Sequence, residues 1–351
     1  MRARIAACAA TCTAVVATMG VAASAAAGPP APKTHGGATA TLFATGLKNP
    51  TSFAWGDGAM FAGDSGDSQK IPNGGVDIIA NGTATTVPNG PVFVGGMAFH
   101  KGALYVSGGF LVNGAPKWRI VKWSGFTGSD FTVRKVLYTA PKAFQGFNGL
   151  AFAPNGRLLV GVDAGLLDGN DHGPASTSPF LYDILSMKAN GKDVNVFASG
   201  IRQPWQMAFA PGSHAPFVSD LGQDGPKKVR KAGPPDFLLK VHRGDNYGFP
   251  RCNHTPLGSC KGDAKPFKMF SPHTDVMGVA VMGKTLYFGS FLGPKLKGGA
   301  LYKMSIHGGK AKPVVTGFPL ATDALAAHGG FLYVGGSGKG ANSGAVYQVK
   351  P

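Results

Sequence analysis

One pattern recurs six times along this chain of 351 residues, and it limits the fold more than any other feature. An alanine is followed by an apolar residue, a short turn that usually holds glycine, and a β-rich run. The first copy is Ala54-Trp55-Gly56-Asp57-Gly58-Ala59-Met60-Phe61, and tighter or looser copies follow at 98–106, 151–160, 208–218, 280–288 and 326–334. Each reads as a two-strand hairpin with one packed face. The marker alanines are 44, 53, 57, 72 and 46 residues apart, a period that suits propeller blades of four short strands. The long fourth interval is an insertion that carries Cys252 and Cys260.

A second element precedes several hairpins: Leu42-Phe43-Ala44-Thr45-Gly46-Leu47, Val196-Phe197-Ala198-Ser199-Gly200-Ile201 and Val314-Val315-Thr316-Gly317-Phe318. It reads as the last strand of one blade crossing to the first strand of the next. After the sixth hairpin only one clear strand remains, at 345–349. The stretch 40–45 is therefore expected to supply the missing strand and close the ring, removing sheet edges that would otherwise aggregate. The expectation is an all-β, six-bladed β-propeller of four-stranded blades over residues 39–351, closed by an N-terminal strand joining the last blade. The 54 glycines and 26 prolines, and the absence of glutamate, argue equally against long helices.

Residues 1–27 read as a secretory signal peptide: Arg2 and Arg4, an apolar or small stretch over 5–23, then Ala25-Ala26-Ala27 before Gly28. A membrane anchor is the weaker reading, because Ala and Thr dominate the stretch and a polar linker, 28–38, follows. The mature chain is expected to be extracellular, without stable membrane insertion. Loss of Arg2 and Arg4 lowers the formal charge from +17 to +15, which favours anionic polymers as partners; nothing beyond bulk charge points to nucleic acid. Cys252 and Cys260, eight apart in a Pro/Gly/Asn-rich segment, read as a disulfide in an exported chain. A metal site with His254 is the alternative, and it lacks a second ligand pair.

Segment 196–250 is richest in chemistry. It holds Gly200-Ile201-Arg202-Gln203-Pro204, Gly222-Gln223-Asp224-Gly225, Asp236-Phe237-Leu238-Leu239 and Asp245-Asn246-Tyr247-Gly248-Phe249-Pro250. In this order the pieces resemble signatures of the soluble quinoprotein glucose/sorbosone dehydrogenases, and Pro272-His273-Thr274-Asp275 and the final Gly-rich blade resemble further family segments. The resemblance implies a sugar or alcohol oxidised by hydride transfer to pyrroloquinoline quinone (PQQ) beside Ca²⁺. It assigns cofactor contacts to Arg202 and Gln203, and the calcium-side positions to Gly222, Gln223 and Tyr247.

Two departures stand out. The family histidine has no counterpart in Phe144-Gln145-Gly146-Phe147-Asn148-Gly149, so no catalytic residue is assigned. The family's Asp-Glu pair becomes Asp236-Phe237, a benzyl group in place of a hard ligand. His100, His172, His273 and His328 are the alternatives for a base. Asp168-Gly169-Asn170-Asp171-His172 resembles a calcium turn, and Lys227-Lys228-Val229-Arg230-Lys231 reads as a solvated basic loop. These departures motivate a non-catalytic propeller that binds carbohydrate or an anionic partner. A calcium-dependent lactonase, similar in Asn148-Gly149, would lack its glutamate ligand.

Overall fold

The computed structural model describes residues 31–67, 73–141, 146–163, 179–223, 234–254, 259–291, 298–340 and 342–351. Among them there is no helix, and none long and apolar enough to cross a membrane. The fold is all-β, built from four-strand antiparallel groups of the propeller type.

The first group is Pro50–Gly56, Ala59–Asp64, Gly75–Ala80 and Thr83–Thr86. The second is Phe93–Phe99, Ala103–Val112, Ala115–Phe126 and Phe131–Thr139. The third is Phe147–Phe152, Leu158–Val162, Ile184–Met187 and Asn195–Ala198. The fourth is Pro204–Phe209, Pro216–Asp220, Phe237–Lys240 and Lys268–Met269. The fifth is Val276–Met282, Thr285–Ser290, Gly299–Ser305 and Gly308–Phe318. The last runs Ala324–His328, Phe331–Gly336 and Gly344–Lys350, and its outer neighbour is Thr39–Leu47, paired antiparallel from Thr39 opposite Lys350 to Leu47 opposite Gly344. A single parallel pair, Thr45 with Thr83, runs this group into the first as one eight-stranded sheet.

All six marker alanines lie on the first strand of a group. The turns after these strands are tight, and three of them, Asp57-Gly58, Lys101-Gly102 and Gly329-Gly330, place both central residues at positive φ. That is the turn whose twist matches the flanking strands. The first strands of successive groups pack together so closely that a Cβ on Gly95 would come within 1.7 Å of the Phe147 carbonyl oxygen.

Buried clusters fill the spaces between successive groups. Phe61 and Trp123 sit in the one between first and second, Phe147 and Leu185 between second and third, and Phe217 and Phe288 between fourth and fifth. A further cluster brings Tyr333 and Val346 of the last group against Phe53 and Met60 of the first. Each large apolar side chain so buried contributes roughly 1.5–3 kcal/mol.

Within the segment read as linker, Lys33–Thr34 pairs with Thr316 and Val315 on the outer edge of the fifth group. His35 N–H donates to Val314 O at 2.9 Å and Ala38 is buried, so the edge is covered before Thr39.

Candidate functional site

Crossovers from one group to the next, and the connections between second and third strands, gather at one end of the molecule. Strand register slips at this end in five of the six first strands: after Pro50, Val94, Phe147, Pro204 and Val276. Such bulges turn side chains out of the regular alternation, and the residues at these slips include Thr51, Asn148, Trp205, Gln206 and Met277.

Gln206 crosses the space between the first strands. Its Nε2 donates to Thr51 O at 2.8 Å, and its Oε1 accepts from Val279 N at 3.1 Å and Leu325 N at 3.2 Å. At 6 % exposure, one amide thus ties four groups together. Beyond it, in the chain direction of the first strands, lies a cavity of about 210 Å³ lined by residues such as Phe53, Leu150, Met207 and Ala327. Trp205 reaches across beside Gln206, its Nε1 donating to Asp323 O at 2.8 Å. Asp323 is 2 % exposed, one carboxylate oxygen has no hydrogen-bond partner, and burial pushes its carboxyl up to about 7. Asn148 Nδ2 is likewise buried and unbonded.

The residues singled out in 200–254 converge on the crossover into the fourth group. The connection between its third and fourth strands runs back over that crossover: Asn246 bridges to Ser199, and Tyr247 N donates to Ser199 O at 3.0 Å. Arg202, Asp220, Gly222, Gln223, Tyr247 and Asn253 line one small cavity there, of about 20 Å³, room for a single water.

Arg202 is 9 % exposed. Its Nη1 lies 2.8 Å from Gly222 O, 3.2 Å from Leu221 O and 3.1 Å from Gln203 Oε1. Asp220, at the end of the second strand, accepts from Gln203 N at 2.8 Å. Burial pushes the Asp220 carboxyl up to about 7, against the opposing pull of that N–H and of Arg202. Asp236 holds two loops at once, accepting from Gly222 N at 2.8 Å and Asp275 N at 2.9 Å, and burial raises it as well. Gln223 Oε1 accepts from Asn253 Nδ2 at 2.6 Å. The Tyr247 hydroxyl donates to Lys240 O at 3.2 Å, and burial raises it far above the ordinary tyrosine range.

Arg202, Gln203, Gly222, Gln223 and Tyr247 are thus neighbours, but the roles expected of them divide. The Arg202–Gln203 pair presents a guanidinium and an amide side by side, a donor set suited to a carboxylate. The calcium positions do not fit a metal. The Gly222 carbonyl faces a guanidinium, the Gln223 amide oxygen is taken by Asn253, and Tyr247 points to a main-chain oxygen. Phe237 lines the cavity where an acid was sought.

Of the four histidines weighed as bases, His100 stacks on Phe152 and His328 on Trp55, both at the tight-turn end. His273 lies at the crossover end, close enough for its charge to act on Asp236. His172, with the Asp168–His172 turn, falls outside the described residues, as do Phe144, Gln145 and the 227–231 basic run. Cys252 and Cys260 form a disulfide whose sulfurs lie with His254 in one cluster. Trp205 and Gln206 were given no role from sequence, although a lone glutamine inside the apolar run Trp205-Gln206-Met207-Ala208 was the available signal; Asn148 entered only through the lactonase resemblance, and Asp323 only as the start of the Gly-rich final blade.

No family model matches the chain, and no curated protein matches it in sequence. Solved structures do. The chain is similar to an oxidoreductase described as a glucose dehydrogenase from Thermus thermophilus, at 18 % identity over 89 % of this chain and 100 % of that one, with a TM-score of 0.68. The PQQ-bound aldose sugar dehydrogenase of Streptomyces coelicolor follows at 18 %, 91 %, 99 % and 0.66. A calcium structure of the Trichoderma reesei carbohydrate-active enzyme of family AA12 gives 15 %, 92 %, 97 % and 0.68. At such identities the likeness establishes a shared fold, and that fold is the one found in glucose and aldose sugar dehydrogenases.

Proposed function

We propose that this chain is a secreted propeller of the soluble sugar dehydrogenase type, which takes a sugar or related alcohol at the crossover end and oxidises it by hydride transfer to a PQQ-class quinone. One observation carries the reading: along nearly the whole chain the fold is that of the sugar dehydrogenases, and the Arg202–Gln203 pair stands where the crossover loops meet. The architecture behind it is a six-bladed ring closed by Thr39–Leu47, supported by the buried cluster between last and first groups. Residues 1–27 are read as the export signal that precedes it.

Arg202 and Gln203 would hold a carboxylate of the quinone, which when bound supplies the hydride acceptor. The rest falls to this chain's own groups. Trp205 offers a half-buried ring for a sugar to rest on. Asp323, like Asp220, is a carboxyl that burial raises to about 7 at the crossover end, the range a proton acceptor needs, and one of its oxygens has no hydrogen-bond partner. The test is titration of the purified protein with PQQ, followed by a dye-linked screen over aldoses and alcohols. Stoichiometric binding with turnover supports the reading.

A second reading, binding of carbohydrate or an anionic partner without turnover, is favoured by the Arg202–Gly222 contact and by Phe237. Retention on a carbohydrate column, with neither quinone binding nor turnover, would select it.

A further inference from the structure

The turn at 221–223 has the makings of a cation site: two adjacent main-chain oxygens, a glutamine side chain, and two buried carboxylates, Asp220 and Asp236, nearby. A cation already fills it. Arg202 Nη1 sits 2.8 Å from Gly222 O and 3.2 Å from Leu221 O. A divalent ion of the calcium kind needs six to eight oxygens, and here they are engaged. Gln203 Oε1 faces the guanidinium, Gln223 Oε1 faces Asn253, and both Asp236 oxygens accept main-chain N–H groups. What remains is space for about one water, beside a permanent positive charge that would repel a second cation.

We infer that the Arg202 guanidinium is the resident cation of the 221–223 turn, so that this end of the fourth group is calcium-independent. Asp220 interacts electrostatically with the arginine while fastening the crossover through Gln203 N, and Asp236 fastens the turn through Gly222 N. The inference concerns the protein as it stands and does not rest on the dehydrogenase reading.

The native protein, stripped with EDTA and then given millimolar Ca²⁺, is followed by thermal unfolding, calorimetry and hydrogen exchange at Gly222 and Gln223. The expected result is no heat of binding, a Tm shift under about 1 °C and unchanged exchange. Stoichiometric Ca²⁺ binding that slows exchange at the turn overturns the inference, whatever the protein does with sugars or quinones.

In Arg202→Ala, exchange at Gly222 and Gln223 is expected to quicken about tenfold or more as the turn opens locally, and millimolar guanidinium ion to slow it again. Exchange at the native rate in this variant overturns the assignment. Should the alanine variant not fold, Arg202→Lys makes the same comparison. A point charge lacks the planar fork, so faster exchange supports the inference and native exchange overturns it.

Discussion

At the scale of single residues, the arrangement depends on a few polar side chains in an apolar interior. Gln206 satisfies one main-chain carbonyl and two N–H groups on three other groups of strands. Gln206→Leu would leave those buried groups unpaired, each at about 1–3 kcal/mol, and is expected to cost roughly 3 kcal/mol or more in urea unfolding. Asp323 supplies a pH signature. Its folded carboxyl is raised to about 7 from an ordinary value of 3.8, so between these values the unfolded chain binds fewer protons. Stability should therefore be fullest below about pH 4 and fall as pH rises toward 7, as far as this group is concerned. Asp323→Asn should flatten that slope in melts taken between pH 4 and 8, and an unchanged slope would count against the shift. Of these side chains, Arg202 was legible in the sequence, because Gly-Ile-Arg-Gln-Pro is compact in the chain. Its partners were not, since Leu221 and Gly222 lie about twenty residues on and become neighbours only when the second strand returns. Asn148, Trp205 and Gln206 are turned by bulges, which leave no periodic trace.

At the scale of elements, the crossover into the fourth group has a counterpart at the start of the first. Gly46-Leu47-Lys48-Asn49-Pro50 matches Gly200-Ile201-Arg202-Gln203-Pro204, and Asp64 matches Asp220 at the end of the second strand. Lys48 N and Asn49 N donate to Asp64 at 2.7 and 3.0 Å, as Gln203 N does to Asp220. Among the described residues this fastening occurs at both crossovers, and in the fourth group its basic residue also caps a carbonyl turn. Asp64→Ala should accordingly destabilise the first group by about 1.5–3 kcal/mol or more, since a hydrogen bond to a charged group is of that size and several are lost, measured by chemical unfolding. The insertion over the fourth crossover is held by Cys252–Cys260. Replacing both by serine should lower stability by roughly 2–3 kcal/mol, as loop-closure entropy suggests for so short a loop, and make the protein indifferent to reductant. The strand plan was readable because every marker alanine lies on a first strand and is followed by a tight turn into the second. The Lys33–Thr34 pairing was not, since two polar residues on an edge carry no alternation.

At the scale of the molecule, the proposed ring rests on Thr39–Leu47 lying against Gly344–Lys350. Deleting 39–47 should strip the last group of its outer strand, unpair Thr83 and abolish a single cooperative transition in calorimetry. The net charge acts over the same scale. A formal +17 over the full sequence predicts retention on a sulfated polymer that weakens steeply with salt, and retention indifferent to salt would remove the anionic-partner reading. The pairing of Thr39–Leu47 with Gly344–Lys350 also sets an order of events. Thr39–Leu47 is made early yet has no antiparallel partner until Gly344–Lys350 has been made, so it must wait with one edge open while the first five groups can already form. A chain halted shortly before residue 344 would therefore carry two unsatisfied edges, on Thr39–Leu47 and on Phe331–Gly336, each ready to take up the missing strand from a neighbour.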